Sequence, residues 1–266
     1  MAKNNKHWKS FMANEADRTA VQEGLDPLEE GLQGLSWLEN SRRIVKQTLK
    51  KTRETFGEEV GNSITSGVLA IYLLFMIPYV SVKSYISAPD GQSMRHCMAY
   101  AVFILFMFLA SLFTTIYHSM KHGTPQKRVF GKLDHIMVYY AILGTYAPIC
   151  LCILPSNIGI GILIAELVLA VLGMFLMIFM YPNNKVGTKF ATAIYGVMGL
   201  IGVFTLKTIY ASVSKASFWL LIAGVIIYVF GTFFYSGKKF KFSHMVWHFC
   251  VLFAAVCHVL ALVYFI

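Results

Sequence analysis

The chain has 266 residues, 57% of them hydrophobic and 14% charged, with a mean hydropathy of +0.61. That composition excludes an ordinary water-soluble globule and predicts an integral membrane protein. The net charge of +10 is unevenly placed: Met1 to Val60 holds 10 of the 13 acidic and 10 of the 23 basic residues, so the chain from Gly61 onward carries 13 basic against 3 acidic. Those basic residues punctuate apolar runs instead of forming one patch, which speaks for loops facing an anionic leaflet and against a nucleic-acid site.

Met1 to Leu35 is polar, mixed in charge and broken by Gly and Pro in "EGLDPLEEGLQGL", so a mobile tail or a loosely held helix, without chemistry, is expected there. It shows no apolar core behind a basic start, and the first membrane helix is expected to act as its own insertion signal. From Trp37 to Phe56, apolar or small residues recur every three or four positions while Arg42, Arg43, Lys46 and Lys50 fill other faces. This predicts a basic amphipathic helix lying on an anionic leaflet; a solvated helix packed on nothing is the competing reading.

Seven apolar runs follow, near 61–83, 95–118, 132–153, 158–181, 189–209, 216–235 and 244–266. Each has about the 20 residues a helix needs to cross a bilayer. The expected architecture is an all-α, seven-transmembrane helix bundle, 58–266, behind a cytoplasmic N-terminal extension, 1–57. With the N-terminus inside, inner segments hold 19 Lys and Arg and outer ends hold 4, which assigns a cytoplasmic N-terminus and an extracytoplasmic C-terminus. Cys97, Cys150, Cys152, Cys250 and Cys257 are odd in number, lie in or beside apolar runs and form no C-x-x-C pair, against a disulfide framework or thiolate zinc site.

In that topology the second run ends inside at "SLFTTIYHSM" with His118, the third begins inside at "KLDHIMVYYAILGTYAP" with Asp134, and the seventh begins inside at "HMVWH" with His244 and His248. Four residues is close to one helical turn, so His244 and His248 share a face and can bind one metal, with His118 as a third nitrogen. Three histidines and an open fourth position describe a catalytic zinc more than a structural one. Asp134 is then a carboxylate that orients water, accepts a proton or completes the coordination. For each histidine alone, a hydrogen bond at the headgroup level is the competing reading. His135 points about 100° away from Asp134 around the helix and is expected against a neighbouring helix or at the interface rather than at the metal. His258 lies roughly 15 Å deeper than His248, too far to share its ion, and a buried hydrogen-bonding role is expected. Glu166 falls inside a span, where it is expected to face the bundle interior or stay protonated.

At these residues the sequence resembles the hemolysin III family, the bacterial branch of the progestin and adipoQ receptor superfamily. Four ordered blocks carry the resemblance: "EEVGNSITSGVLA", "YHSM", "KLDHIMVYYAILGTYAP" and "FFYSGKKFKFSHMVWHFCVLFAAVCH". By that resemblance His118, His244 and His248 match zinc ligands, and Asp134 matches an aspartate beside the bound water. Two positions depart from the family: Thr114 stands where a serine is common, and Ser66 where a histidine is usual. The resemblance implies a zinc-dependent hydrolase acting on a membrane lipid amide or ester, similar to alkaline ceramidases, with Asp134 taking a proton and Thr114 helping to hold the developing oxyanion. A receptor with structural zinc and a lytic pore, the latter from the family name, are the alternatives it leaves.

Overall fold

The computed structural model describes residues 55–181, 185–235 and 242–264, and within these the secondary structure is helical. The amphipathic helix expected over Trp37 to Phe56, with Arg42, Arg43, Lys46 and Lys50, lies outside the described residues but for its last two positions; so does the loop with Lys238, Lys239 and Lys241. Seven helices are long and apolar enough to cross a membrane. Their main α-helical parts are α1 (Phe56–Ile86), α2 (Ser93–Ser119), α3 (Pro125–Pro148), α4 (Ser156–Met180), α5 (Lys185–Ile201), α6 (Lys215–Tyr235) and α7 (Ser243–Val259), and the third, fifth and seventh crossings run on to Ile153, Ser212 and Tyr264. The chain is a multi-pass, all-α membrane protein, as its composition predicts.

Several boundaries differ from the apolar runs for local chemical reasons. Helix α3 starts at Pro125, seven residues before the run, because the Thr124 side chain accepts the Lys127 N–H at 3.2 Å and Pro125 takes the first turn, where its missing N–H costs nothing. At its far end Pro148 cannot donate to the preceding turn, and the helix relaxes into a π-helical stretch, Ile149–Ile153. Helix α5 is interrupted by a 3-10 turn at Gly202–Thr205 before a last short helix, Leu206–Ser212, completes the crossing. The cause is Tyr146 of α3. Its hydroxyl accepts the Gly202 N–H at 2.7 Å and donates to the Met198 carbonyl at 3.0 Å, inserting between the two groups that an unbroken helix would pair. Helix α7 likewise ends in a π-helical turn, Leu260–Tyr264.

Helices α1 and α2, α2 and α3, and α6 and α7 make the most extensive pairs, and α7 also packs on α1, so the last helix returns to the first. One buried core joins Leu73, Phe103, Ile104 and Leu262 from α1, α2 and the end of α7; a second joins Tyr139, Ala170, Met177 and Met198 from α3, α4 and α5. Outside these cores, apolar side chains such as Phe75, Phe179 and Phe204 face outward. In lipid such exposure carries no hydrophobic penalty, so helix association here rests on packing and on polar groups turned inward.

Candidate metal centre

Helix α2 ends where α1 and α7 begin, and this puts side chains far apart in sequence at one end of the bundle. His118 and His248 are buried, His244 half-buried. Each can present one nitrogen such that the three lie within 4.8 Å of one another. Ring centroids are 4.9 Å apart for His118 and His248, 4.8 Å for His244 and His248, and 5.4 Å for His118 and His244. The triad expected from spacing is brought together from the two helices expected to supply it.

The outer faces of two of the imidazoles are held by α1. His118 Nδ1 lies 2.8 Å from Glu59 Oε2; a carboxylate only accepts, so the proton sits on Nδ1 and the lone pair on Nε2. His248 Nδ1 lies 3.4 Å from the Ser66 hydroxyl, and the Asn62 amide nitrogen 3.4 Å from His118 Nδ1. With both Nδ1 atoms engaged, the two Nε2 atoms face each other at 3.2 Å. Two nitrogens bound tetrahedrally to one zinc at its usual bond length stand about 3.3 Å apart, so the donor set and its spacing fit such an ion.

Glu59 is the hub of this end. Beyond His118 it receives Lys127 Nζ at 2.9 Å, and His122 Nε2 stands 2.5 Å from the same carboxylate oxygen. Lys127, itself buried, also donates to the Tyr117 and Met120 carbonyls at 3.1 Å each, satisfying backbone acceptors at the end of α2. Its neighbour Glu58 accepts the backbone N–H of Phe242 at 2.7 Å. Phe242 has φ of 69°, a left-handed conformation that costs a non-glycine residue roughly 1–3 kcal/mol, and it directly precedes α7. Adjacent carboxylates on α1 thus bind α2 and α3 on one side and the start of α7 on the other.

The single proton of the Thr114 hydroxyl is shared between two acceptors, the Asp134 carboxylate at short range and the Ala110 carbonyl of its own helix at 2.9 Å. Thr114 is one turn before His118, so Asp134 is tied to the histidine-bearing helix, and the hydroxyl is directed at the carboxylate. His135 is turned to aromatic neighbours, its ring 4.6 Å from Tyr181 and 6.5 Å from Tyr235. His258 is buried beside Tyr228 at 5.6 Å, and its ring fills the space that a side chain at Gly224 would need. Glu166 is fully buried inside the bundle, as its position in a span implied.

Residues 55–259 match the profile of the family described as Haemolysin-III related. The chain belongs to that family. The match covers the bundle through the end of α7's α-helical part, including every residue of the site. Hemolysin-III relatives of similar sequence include a "Hemolysin-3 homolog" of Bacillus subtilis (strain 168), 35% identical over 213 residues that cover 76% of this chain and 96% of the relative. Another is "Hemolysin-3" of Bacillus cereus, 34% identical over 207 residues, covering 77% and 91%.

Three hemolysin-III site residues, Glu59, Asn62 and Lys127, escaped sequence reasoning, and Ser66 was noted only as a departure from the family, without its contact to His248. Glu59, Asn62 and Ser66 fall at spacings of three and four, a polar stripe on an apolar helix, and that pattern was available in "EEVGNSITS". Lys127 carried no such signal, since a lysine in a short basic loop reads as a headgroup contact.

Proposed function

We propose that this hemolysin-III protein is a zinc-dependent hydrolase working within the membrane on a lipid amide or ester. The observation that carries the reading is the pair of imidazoles on His118 and His248, each held at Nδ1 from α1 and turned Nε2 to Nε2 at 3.2 Å, with His244 as third donor. Zinc held by His118, His244 and His248 supplies Lewis acidity, polarising a carbonyl and making water a stronger acid. The protein's own part is orientation and proton transfer. Glu59 fixes the His118 tautomer and stabilises positive charge on that ring. Asp134 is the proton acceptor, and Thr114 holds its carboxylate in place through the hydrogen bond between them. The half-buried His244 leaves the site reachable, whereas burial of His118 and His248 keeps bulk water from their side. The excess of Lys and Arg on one set of loops supports a cytoplasmic N-terminus, with the histidines at the inner face.

The deciding experiment measures metal content and turnover of a panel of ceramides and phospholipids by the purified protein and by Asp134→Asn. About one zinc per chain in both, with turnover lower in the variant by about 10²–10⁴-fold, is expected. Absence of turnover in the wild type, or equal turnover in both, refutes the hydrolase. The relatives' name, "Hemolysin-3", favours a second reading, membrane lysis; lysis of red cells that is unaltered by Asp134→Asn and His248→Ala is the result that selects it.

A further inference from the structure

Glu166 stands apart from the histidine centre and the hydrolase reading gives it no task. It is ten residues into the 25-residue α4, about 15 Å along it and so near its middle, and it is completely buried. Both carboxyl oxygens lack a hydrogen-bond partner. An ionised carboxylate in such surroundings costs several kcal/mol, so the group is held as the neutral acid. Even a neutral acid so placed is a burden that an apolar side chain would lift, which points to use.

Its neighbours suggest the use. Tyr146 of α3 and Cys150 of the π-helical turn after it are buried in the first core, against which Ile162 and Leu163 pack from α4, one turn before Glu166, and both feel its charge. The second core, which α4 joins through Ala170, holds the titratable Tyr139 and Tyr140 of α3 and receives Ile194, Met198 and the titratable Tyr195 from α5. Tyr146 is the residue whose hydroxyl separates Gly202 N–H from Met198 carbonyl. Those two backbone groups are the natural partners of each other in an unbroken helix, so withdrawal of the hydroxyl leaves neither orphaned.

We propose that Glu166 is an exchangeable proton site in the α3–α4–α5 half of the bundle, and that the Tyr146 hydroxyl moves to its carboxylate when the proton leaves. The proton passes to water; the carboxylate gains a phenolic hydrogen bond; α5 closes its turn through Gly202 N–H and the Met198 carbonyl. The number of satisfied backbone groups stays constant, and the new charge-assisted bond is the gain that offsets burial of the charge.

Infrared spectroscopy of the full-length protein in lipid nanodiscs tests this without reference to zinc or lipid turnover. Wild type should show the high-frequency carbonyl stretch of a neutral acid without hydrogen bonds, absent in Glu166→Gln and displaced in Glu166→Asp, which retains an acid should the amide variant fold poorly. The band should shift on transfer to heavy water and disappear in alkaline buffer, while in Tyr146→Phe it persists at the pH where wild type loses it. A band that never shifts in heavy water marks a trapped proton and overturns the proposal. Loss of carboxylate rather than acid bands in Glu166→Gln, with stability of the wild type raised by sodium over choline, overturns it in favour of a metal-cation site. Tyr146→Phe indistinguishable from wild type removes the coupled movement.

Discussion

Replacing Glu59 with Gln keeps the size of the side chain and an acceptor oxygen, and removes only its charge. In the wild type the carboxylate accepts His118 Nδ1–H at 2.8 Å and Lys127 at 2.9 Å in a buried setting. A hydrogen bond to a charged group contributes about 1.5–3 kcal/mol and a neutral one about 0.5–1.5, so the change weakens the hold on His118 by about 1–1.5 kcal/mol. Because that bond also raises the basicity of Nε2, the loss is expected in metal affinity as about a tenfold decrease, at the lower end of the 10–100-fold typical for such partners. Zinc competition against a chromophoric chelator measures it. Lys127 keeps its two carbonyls at 3.1 Å in the variant, so folding should survive; Glu59→Ala, which removes the acceptor altogether beside a buried ammonium, should cost about 3–5 kcal/mol of stability. Zinc affinity of Glu59→Gln within twofold of wild type refutes the assigned role of Glu59.

His248→Ala should purify without stoichiometric zinc; metal retained in that variant removes His248 from the ligand set. Thr114→Val deletes one hydroxyl, so turnover should fall between wild type and Asp134→Asn with zinc content unchanged in all three, and a fall below Asp134→Asn contradicts the orienting role. Gly224→Ala forces a methyl group into the His258 ring and should lower stability by about 1–3 kcal/mol, read as a drop in melting temperature; no drop means that α6 and α7 yield there. A reporter fused after Ile266 should read extracytoplasmic and one inserted at Lys238 to Lys241 cytoplasmic, and the reverse at both sites overturns the orientation.

The seven crossings were legible because a bilayer demands long apolar runs, and the histidine cluster because alternating crossings bring the end of α2 level with the start of α7. What stayed hidden depended on which helix lies beside which. His118 could be placed at a depth, but its Nδ1 partner is set by α1 packing along α2, and no spacing within either segment encodes that. Glu58 and Glu59 fell within the bounds expected for the bundle but ahead of its first apolar run, so no apolar spacing said which way they face; the helix begins at Phe56, before them, and they turn inward. The interruption of α5 was invisible for a similar reason. "GLIGVFTLK" reads as uninterrupted apolar helix, and the group that opens it, the Tyr146 hydroxyl, arrives from α3.

The contacts of α1 with the start of α7 span most of the chain: Glu58 meets Phe242 across 184 positions, and Ser66 meets His248 across 182. His244 and His248 lie on the last helix, so they are the last of the three histidines to be synthesised and to reach the bilayer. Until then the His118 half of the centre, bound to Glu59, is complete and the other half is missing. Arrival of the last helix therefore does two things in one step: it closes the ring of helices and it assembles the triad. A chain truncated before Ser243, or one in which the seventh helix fails to insert, retains most of its membrane-embedded mass but only one of the three nitrogens. Occupancy of that site is thus a readout of finished biogenesis, available without knowledge of any substrate.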